Sequence, residues 1–117
     1  MQKVDITQRT FEFALQIIRM FRVVTKDYAA DKQVLAKQLV RAGTSIGANV
    51  EEAQSGQSRA DFISKMSIAL KEARETSYWL RLLKAAGYVG GDDIELTLRE
   101  SEEIKKILGA IIVSSKR

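Results

Sequence analysis

The sequence predicts an all-α protein: an up-down-up-down antiparallel four-helix bundle, formed as a single domain by residues 1–117. Apolar residues recur at three- and four-residue steps through four long segments, which is the spacing of a buried helix face. The chain contains no proline, so long helices can run without interruption. Four helices of comparable length joined by short connections form a bundle of this kind.

The first helix is predicted over residues 6–26, with Asp5 or Thr7 as its N-cap. Its apolar residues form two adjacent stripes, which indicates a helix buried over a wide arc between neighbours. The first stripe is Phe11, Ala14, Leu15, Ile18 and Phe21, and the second is Phe13, Ile17, Met20 and Val24.

The other three helices are predicted over residues 31–55, 59–86 and 92–114. Gly56 and Gly87 follow the last periodic residues of the second and third helices, as expected of helix stops. Each of the three helices begins at a residue type that is favoured as an N-cap. The predicted caps are Asp31, Ser58 and Asp92, the last two within capping boxes.

Two glycines, Gly43 and Gly47, lie four residues apart on one face of the second helix. Glycine inside a helix costs about 1 kcal/mol relative to alanine. We expect this cost to be offset by close packing at the two glycines, either with another backbone or with a bulky ring such as Phe21 or Trp79. A helix break at Gly43 is the alternative, but the apolar stripe keeps one phase across this position, which favours a continuous helix.

A ladder of polar residues on the same helix consists of Ser45, Asn49 and Glu52, with Arg41 one turn earlier. One interpretation is a solvated face, or serine and asparagine side chains that bond to the backbone of their own helix. The other is a buried polar network of these four residues that sets the register between helices or subunits. We assign the four residues to such a structural network.

The net charge of +4 permits an anionic partner without requiring one. Basic residues recur at helical spacing on the first and third helices, whereas the fourth helix is rich in glutamate. The simpler interpretation is a mixed, solvated surface. The sharper prediction is nucleic-acid binding through Arg19, Arg22 and Lys26 on the first helix, and Lys71, Arg74 and Arg81 on the third.

The third helix also carries aromatic and apolar residues outside its core face. Tyr78 lies among the basic residues, where it can stack a base or pack at a subunit contact. Tyr78 and Trp79 are about 100° apart on the helix, so we expect one in the core and the other at an interface. Ile68, Leu82 and Ala86 extend a second apolar stripe from Trp79, which indicates oligomerisation.

The composition argues against catalysis. Without cysteine or histidine, the chain lacks a thiolate nucleophile and the commonest general base and metal ligand. Glu72 and Glu75 can in principle ligate Mg²⁺ in a metal-dependent nuclease, but such residues more often pair with neighbouring cations. The segment GTSIG lacks the lysine and the spacing of a phosphate-binding loop. We therefore predict no enzymatic activity, no metal site and no cofactor.

The sequence contains no apolar run that approaches the roughly 20 residues needed to span a bilayer. The segment MQKVDITQRT lacks the apolar core of a signal peptide. We therefore expect a cytoplasmic protein with no membrane partner.

The segments RAGTSIGANVEEAQ and SRADFISKMSIALKEARETSYWLRLL closely resemble a bacterial four-helix-bundle family, named for proteins encoded in intervening sequences of 23S rRNA genes. The likeness extends from FEFALQIIRMF to about Leu83, and the fourth helix matches only in character. The resemblance implies four-helix protomers that assemble as homopentamers. The ribosomal label reflects gene location, and it does not make the product a ribosomal component.

A relative of this family is the accessory protein of diversity-generating retroelements, a basic pentamer that binds nucleic acid and works with a reverse transcriptase. By that analogy, the partners are RNA or DNA and, more remotely, a reverse transcriptase. The predicted function is a non-enzymatic, homo-oligomeric bundle, by resemblance a pentamer, that binds nucleic acid through basic helix faces. The alternative is a protein-interaction scaffold whose charges serve subunit assembly.

Overall fold

The computed structural model describes residues 5–117 as four helices packed side by side. They are α1 (Ile6–Val24), α2 (Ala30–Gln54), α3 (Arg59–Ala85) and α4 (Asp92–Ser115). α2 packs against α1 and α3, and α4 packs against α3 and α1, so the bundle closes. Neighbouring helices are antiparallel: Ser77 meets Ser101, and farther along α3 Lys84 meets Glu95. The predicted four-helix bundle is confirmed.

Only one of the two apolar stripes of α1 is fully buried. Phe13, Ile17 and Met20 are buried with the rest of the second stripe. In the first stripe, Phe11 is 54% exposed and Leu15 is 41% exposed. The prediction of a wide buried arc is therefore wrong for these two residues, because within residues 5–117 α1 is flanked by α2 and α4 alone, and its outer side faces away from the bundle.

The glycines of α2 allow a close approach to α1. α2 runs continuously through Gly43 and Gly47, as predicted. A Cβ atom on Gly43 would lie 2.8 Å from Cγ1 and Cγ2 of Ile17, and one on Gly47 would lie 3.2 Å from the carbonyl oxygen of Thr10. The expected close contact is confirmed, but it is made by α1 at these two residues rather than by an aromatic ring.

Two helices begin at the predicted caps. Asp5 accepts a hydrogen bond from the backbone N–H of Gln8 at 3.2 Å, which caps α1. Ser58 accepts one from the backbone N–H of Asp61 at 3.1 Å, which caps α3. Both bonds satisfy an amide that has no partner inside its helix.

Asp31 and Asp92 are not N-caps, and those two predictions are wrong. The N-cap residues are Ala29 for α2 and Gly91 for α4, and neither cap is closed by a side-chain hydrogen bond. Gly91 has φ of 83°, a conformation that favours glycine, so α4 can start only after it. The displaced Asp31 sits in the first turn of α2 and accepts a hydrogen bond from the hydroxyl of Tyr88.

Polar side chains fix α4 against its two neighbours. Arg9 of α1 forms a two-pronged ion pair with Glu100, with Nε–Oε2 and Nη2–Oε1 distances of 2.7 and 2.8 Å. On the other side, the buried hydroxyls of Ser77 and Ser101 lie 2.8 Å apart. Ser77 also donates to Glu102 of α4 at 3.2 Å, so its hydroxyl joins α3 to α4 at two points.

Candidate nucleic-acid interface

The six predicted nucleic-acid-binding residues all lie on the surface. In the described part of the chain none of them forms a salt bridge, whereas Lys65, Lys84, Lys105 and Lys106 each pair with a glutamate. The charges of the six predicted residues are therefore available to an anionic partner. The six exposed residues are Arg19, Arg22, Lys26, Lys71, Arg74 and Arg81.

The positions of the three predicted basic residues on α3 follow from the spacing of its buried residues. Buried residues such as Ala73 and Leu80 mark the inward face, and each following residue turns about 100° around the axis. Lys71, Arg74 and Arg81 consequently lie on the outer side of α3. At 1.5 Å per residue, this cationic stripe extends about 15 Å along the helix. We refer to these three residues as the α3 stripe.

The three predicted basic residues of α1 lie beside a groove between α1 and α4. The groove has a volume of about 450 Å³ and a mixed polar and apolar lining. Arg19 forms part of the wall, whereas Arg22 and Lys26 do not. The sequence did not predict this groove, because its opposite wall comes from the α3–α4 connection and α4. The lining residues are Gln16, Arg19, Met20, Val23, Val89, Gly90, Asp93, Leu96 and Thr97.

The structure does not bring the two basic groups together. α1 and α3 occupy opposite corners of the bundle, and within residues 5–117 their backbones do not approach within 8 Å, measured between Cα atoms. α4 packs between them on one side and exposes glutamates, among them Glu95, Glu102 and Glu103. One protomer therefore presents two separate basic surfaces, rather than one continuous patch.

Tyr78 stands within the α3 stripe with 48% of its surface exposed. The Arg81 guanidinium carbon lies 5.8 Å from the centroid of the Tyr78 ring, a distance typical of a cation–π contact. The Trp79 ring meets Tyr78 edge to face, with centroids 5.1 Å apart. Trp79 itself packs against the core, and its buried Nε1 has no hydrogen-bond partner in the described chain. As predicted, only one of the two adjacent aromatics points inward.

Arg81 is a member of the α3 stripe whose charge acts on a carboxylate of α4. A hydrogen bond from Lys105 lowers the pKa of Glu102, with smaller contributions from a Ser77 hydrogen bond and the charge of Arg81. The field of Arg81 is thus partly offset by Glu102.

The polar ladder of α2 makes mostly local bonds. Ser45 Oγ donates to the carbonyl of Arg41 at 2.6 Å, and Asn49 Nδ2 donates to the carbonyl of Ser45 at 2.8 Å. Glu52 is exposed and lies 3.7 Å from Lys65 of α3. Within one chain, serine and asparagine therefore follow the local-backbone alternative, and a network with another subunit stays a prediction.

Arg41 is the residue of the ladder that reaches another helix through a strong charge pair. Its guanidinium donates to Glu72 at 3.3 Å and also to Glu75. The bond to Glu75 is the main cause that raises the pKa of Arg41. These are the two carboxylates considered above as metal ligands. In the described range, no group of three His, Cys, Asp or Glu residues is arranged to hold a metal ion.

The profile of the 23S rRNA-intervening sequence proteins matches residues 2–110. The chain belongs to this family. The match includes most of α4, so the family likeness extends beyond the region around Leu83 where the sequence motifs end. None of the helices described in this intervening-sequence protein is both long enough and apolar enough to cross a bilayer.

A solved structure supports the same assignment of this intervening-sequence protein. It is the crystal structure of a protein of unknown function from the S23 ribosomal protein family of Bacteroides thetaiotaomicron. That protein is 43% identical to this chain, the alignment covers 92% of this chain and 98% of the other, and the TM-score is 0.84. A search of curated proteins finds no match. The function must therefore be argued from the residues.

Proposed function

We propose that this intervening-sequence protein is a non-enzymatic, cytoplasmic, homo-oligomeric bundle that binds RNA or DNA through its basic helix faces. The observation that carries the proposal is the α3 stripe: three exposed cations on one helix, none of them in a salt bridge within residues 5–117. The proposal agrees with the nucleic-acid binding of the retroelement accessory protein, a relative of the family that the sequence resembles.

Unpaired cations favour a polyanion for a physical reason. Each phosphate that a lysine or arginine neutralises releases condensed counterions, and this release supplies most of the affinity in non-specific binding. A cation that already pairs with a glutamate must break that pair before it can contribute. The three residues of the α3 stripe pay no such cost, whereas Lys84 on the same helix is held by Glu95.

Exposed apolar side chains support self-association. Phe11 and Leu15 lie next to each other on the outer side of α1, and Ile68 is exposed on α3. Burying such residues against a second copy removes apolar surface from water, which contributes about 25 cal/mol per Å². The pentameric stoichiometry comes from the family resemblance, and it is part of the proposal.

A charge-reversal pair tests the α3 stripe. R74E/R81E changes the net charge by the same amount as K106E/K116E, whose residues are exposed on α4 and at its C-terminal end. Binding of a dye-labelled RNA is followed by fluorescence anisotropy between about 50 and 200 mM salt. We expect R74E/R81E to weaken binding and to reduce the slope of log K against log salt by about 1.4, since each single-strand phosphate contact contributes about 0.7.

The controls separate a site from a general charge effect. If both double variants weaken binding equally, net charge alone matters and the α3 stripe is not the site. If the native protein does not bind RNA or DNA even at low salt, the proposed function is wrong. Circular dichroism establishes that each variant keeps its helical content.

The scaffold alternative is favoured by the exposed apolar residues, and it makes a different prediction for the same variant. If Arg74 and Arg81 serve subunit assembly, R74E/R81E must change the native mass measured by light scattering. A variant that keeps the native mass but loses RNA binding supports the nucleic-acid function and contradicts the scaffold role of these two residues.

A further inference from the structure

Tyr78 differs from Tyr88, the neighbouring tyrosine of the same half of the chain. Tyr88 donates its hydroxyl to Asp31, and Lys32 lies over its ring at 5.8 Å, so it joins the start of α2 to the α3–α4 connection. Tyr78 makes no hydrogen bond to any described residue, and its ring is half exposed among the cations of the α3 stripe. The structure gives Tyr88 a structural role, and it leaves Tyr78 without one.

We propose that Tyr78 is a stacking platform for one unpaired base, so that the nucleic acid bound by the α3 stripe is single-stranded at this point. The inference rests on the proposed function and specifies its ligand. Every base has a flat π-face that can stack on a tyrosine, but a duplex keeps those faces stacked inside. Only a single strand, a loop or a free end offers one to Tyr78.

The spacing of the stripe fits this arrangement. Arg74 is four residues from Tyr78 and Lys71 is seven residues away, which is about 6 and 10 Å along the helix axis. Arg81 follows Tyr78 after three residues, about 4.5 Å along the axis. A strand whose phosphates contact Lys71 and Arg74 therefore has its next bases within reach of the Tyr78 ring.

The immediate neighbours of Tyr78 prepare the ring for stacking. The edge-to-face contact with Trp79, at 5.1 Å between centroids, restricts how the ring can turn. A ring that is already held loses less rotational freedom when a base binds, which favours affinity. The Arg81 guanidinium lies over the ring and is itself a planar cation on which a base can stack.

Two substitutions of one residue test the platform. Y78F keeps the ring, and Y78L replaces it with an apolar side chain of good helix propensity. Binding to a labelled single-stranded RNA and to the same RNA annealed into a duplex is measured by anisotropy. We expect Y78L to bind the single strand about five-fold to 100-fold more weakly than Y78F, with duplex binding equal for the two variants.

Trp79 provides an independent readout. It is the only tryptophan in the chain and touches Tyr78, so its fluorescence should respond when a base stacks there. We expect single-stranded RNA to change the Trp79 emission of the native protein and of Y78F, and to leave that of Y78L nearly unchanged.

The outcomes separate this inference from the function on which it rests. Equal single-strand binding by Y78F and Y78L overturns the platform but leaves nucleic-acid binding intact, and so does a native preference for duplex. If the native protein binds neither form, both proposals fail. A change in the native mass of Y78L, measured by light scattering, would identify Tyr78 as a subunit contact and overturn the platform.

Discussion

Replacing Gly43 with alanine tests the close approach of α1 and α2. The added methyl group would lie 2.8 Å from both Cγ atoms of Ile17 and 3.1 Å from its Cβ. Carbon atoms attract best at about 3.5–4.0 Å, so the overlap is severe. Ile17 is completely buried, and its branched side chain has one strongly preferred rotamer in a helix. It cannot turn aside, and the helices must move apart.

The magnitude follows from two opposing effects. Overpacking a core costs about 1–3 kcal/mol, and the upper end applies because the new methyl group overlaps both Cγ atoms of Ile17. Alanine gains about 1 kcal/mol over glycine in a helix interior. We therefore expect G43A to lower the free energy of unfolding by about 2 kcal/mol. In the I17A background both Cγ atoms are gone and only the 3.1 Å contact with the Cβ remains, so the same substitution should lose most of its destabilising effect.

Urea unfolding, followed by circular dichroism, measures the effect of G43A with and without Ile17. The four proteins compared are the native protein, G43A, I17A and the double variant. The protomer concentration is held constant, because self-association adds to the apparent stability. G109A is the matched control: Gly109 lies inside α4, and a Cβ there would meet no atom within 4 Å. G109A should stabilise by about 1 kcal/mol. The reasoning is refuted if G43A stabilises as G109A does, or if its effect is the same with and without Ile17.

Two further substitutions test the contacts of α4. The hydrogen bond from Lys105 lowers the pKa of Glu102 from its ordinary value, so the ionised carboxylate stabilises the fold at neutral pH, and this contribution is lost as the pH falls through the lowered pKa. E102Q should therefore destabilise more at neutral pH than in acid, and equal losses in urea unfolding would contradict this. S77A and S101A should each cost about 1 kcal/mol, and the double variant should cost less than their sum, since all three lose the shared Ser77–Ser101 contact while the Ser77–Glu102 and Ser101–Leu98 bonds are lost separately. Strict additivity would show that the pair is not coupled.

The sequence was most informative where local chemistry decides the structure. Apolar spacing placed the helix boundaries within two residues, and Ser58 capped α3 as its side chain and position indicated. The glycine pair at Gly43 and Gly47 predicted a close helix contact, because an otherwise costly residue needs such a reason. The motif around these glycines also identified the family, which the profile match then confirmed.

Prediction failed where the outcome depended on neighbours that periodicity does not encode. Asp31 has the right chemistry for a cap, but the chain adopts extended backbone at Ala29, and Asp31 meets Tyr88 of the α3–α4 connection instead. Phe11 and Leu15 have core-like spacing, yet no third helix covers the outer side of α1. Spacing also could not show that the two basic groups belong to helices at opposite corners.

Under the proposed function, the separation of the two basic surfaces makes each protomer bivalent toward a polyanion. The bundle measures 46 × 29 × 19 Å, so its cross-section exceeds the Debye length of about 8 Å at physiological ionic strength. Under those conditions each corner acts as an independent charge, and one protomer can cross-link two strands. At about 0.01 M salt the screening length grows to about 30 Å and the fields of the two corners merge. Ionic strength thus decides whether a strand encounters one attractive face or two.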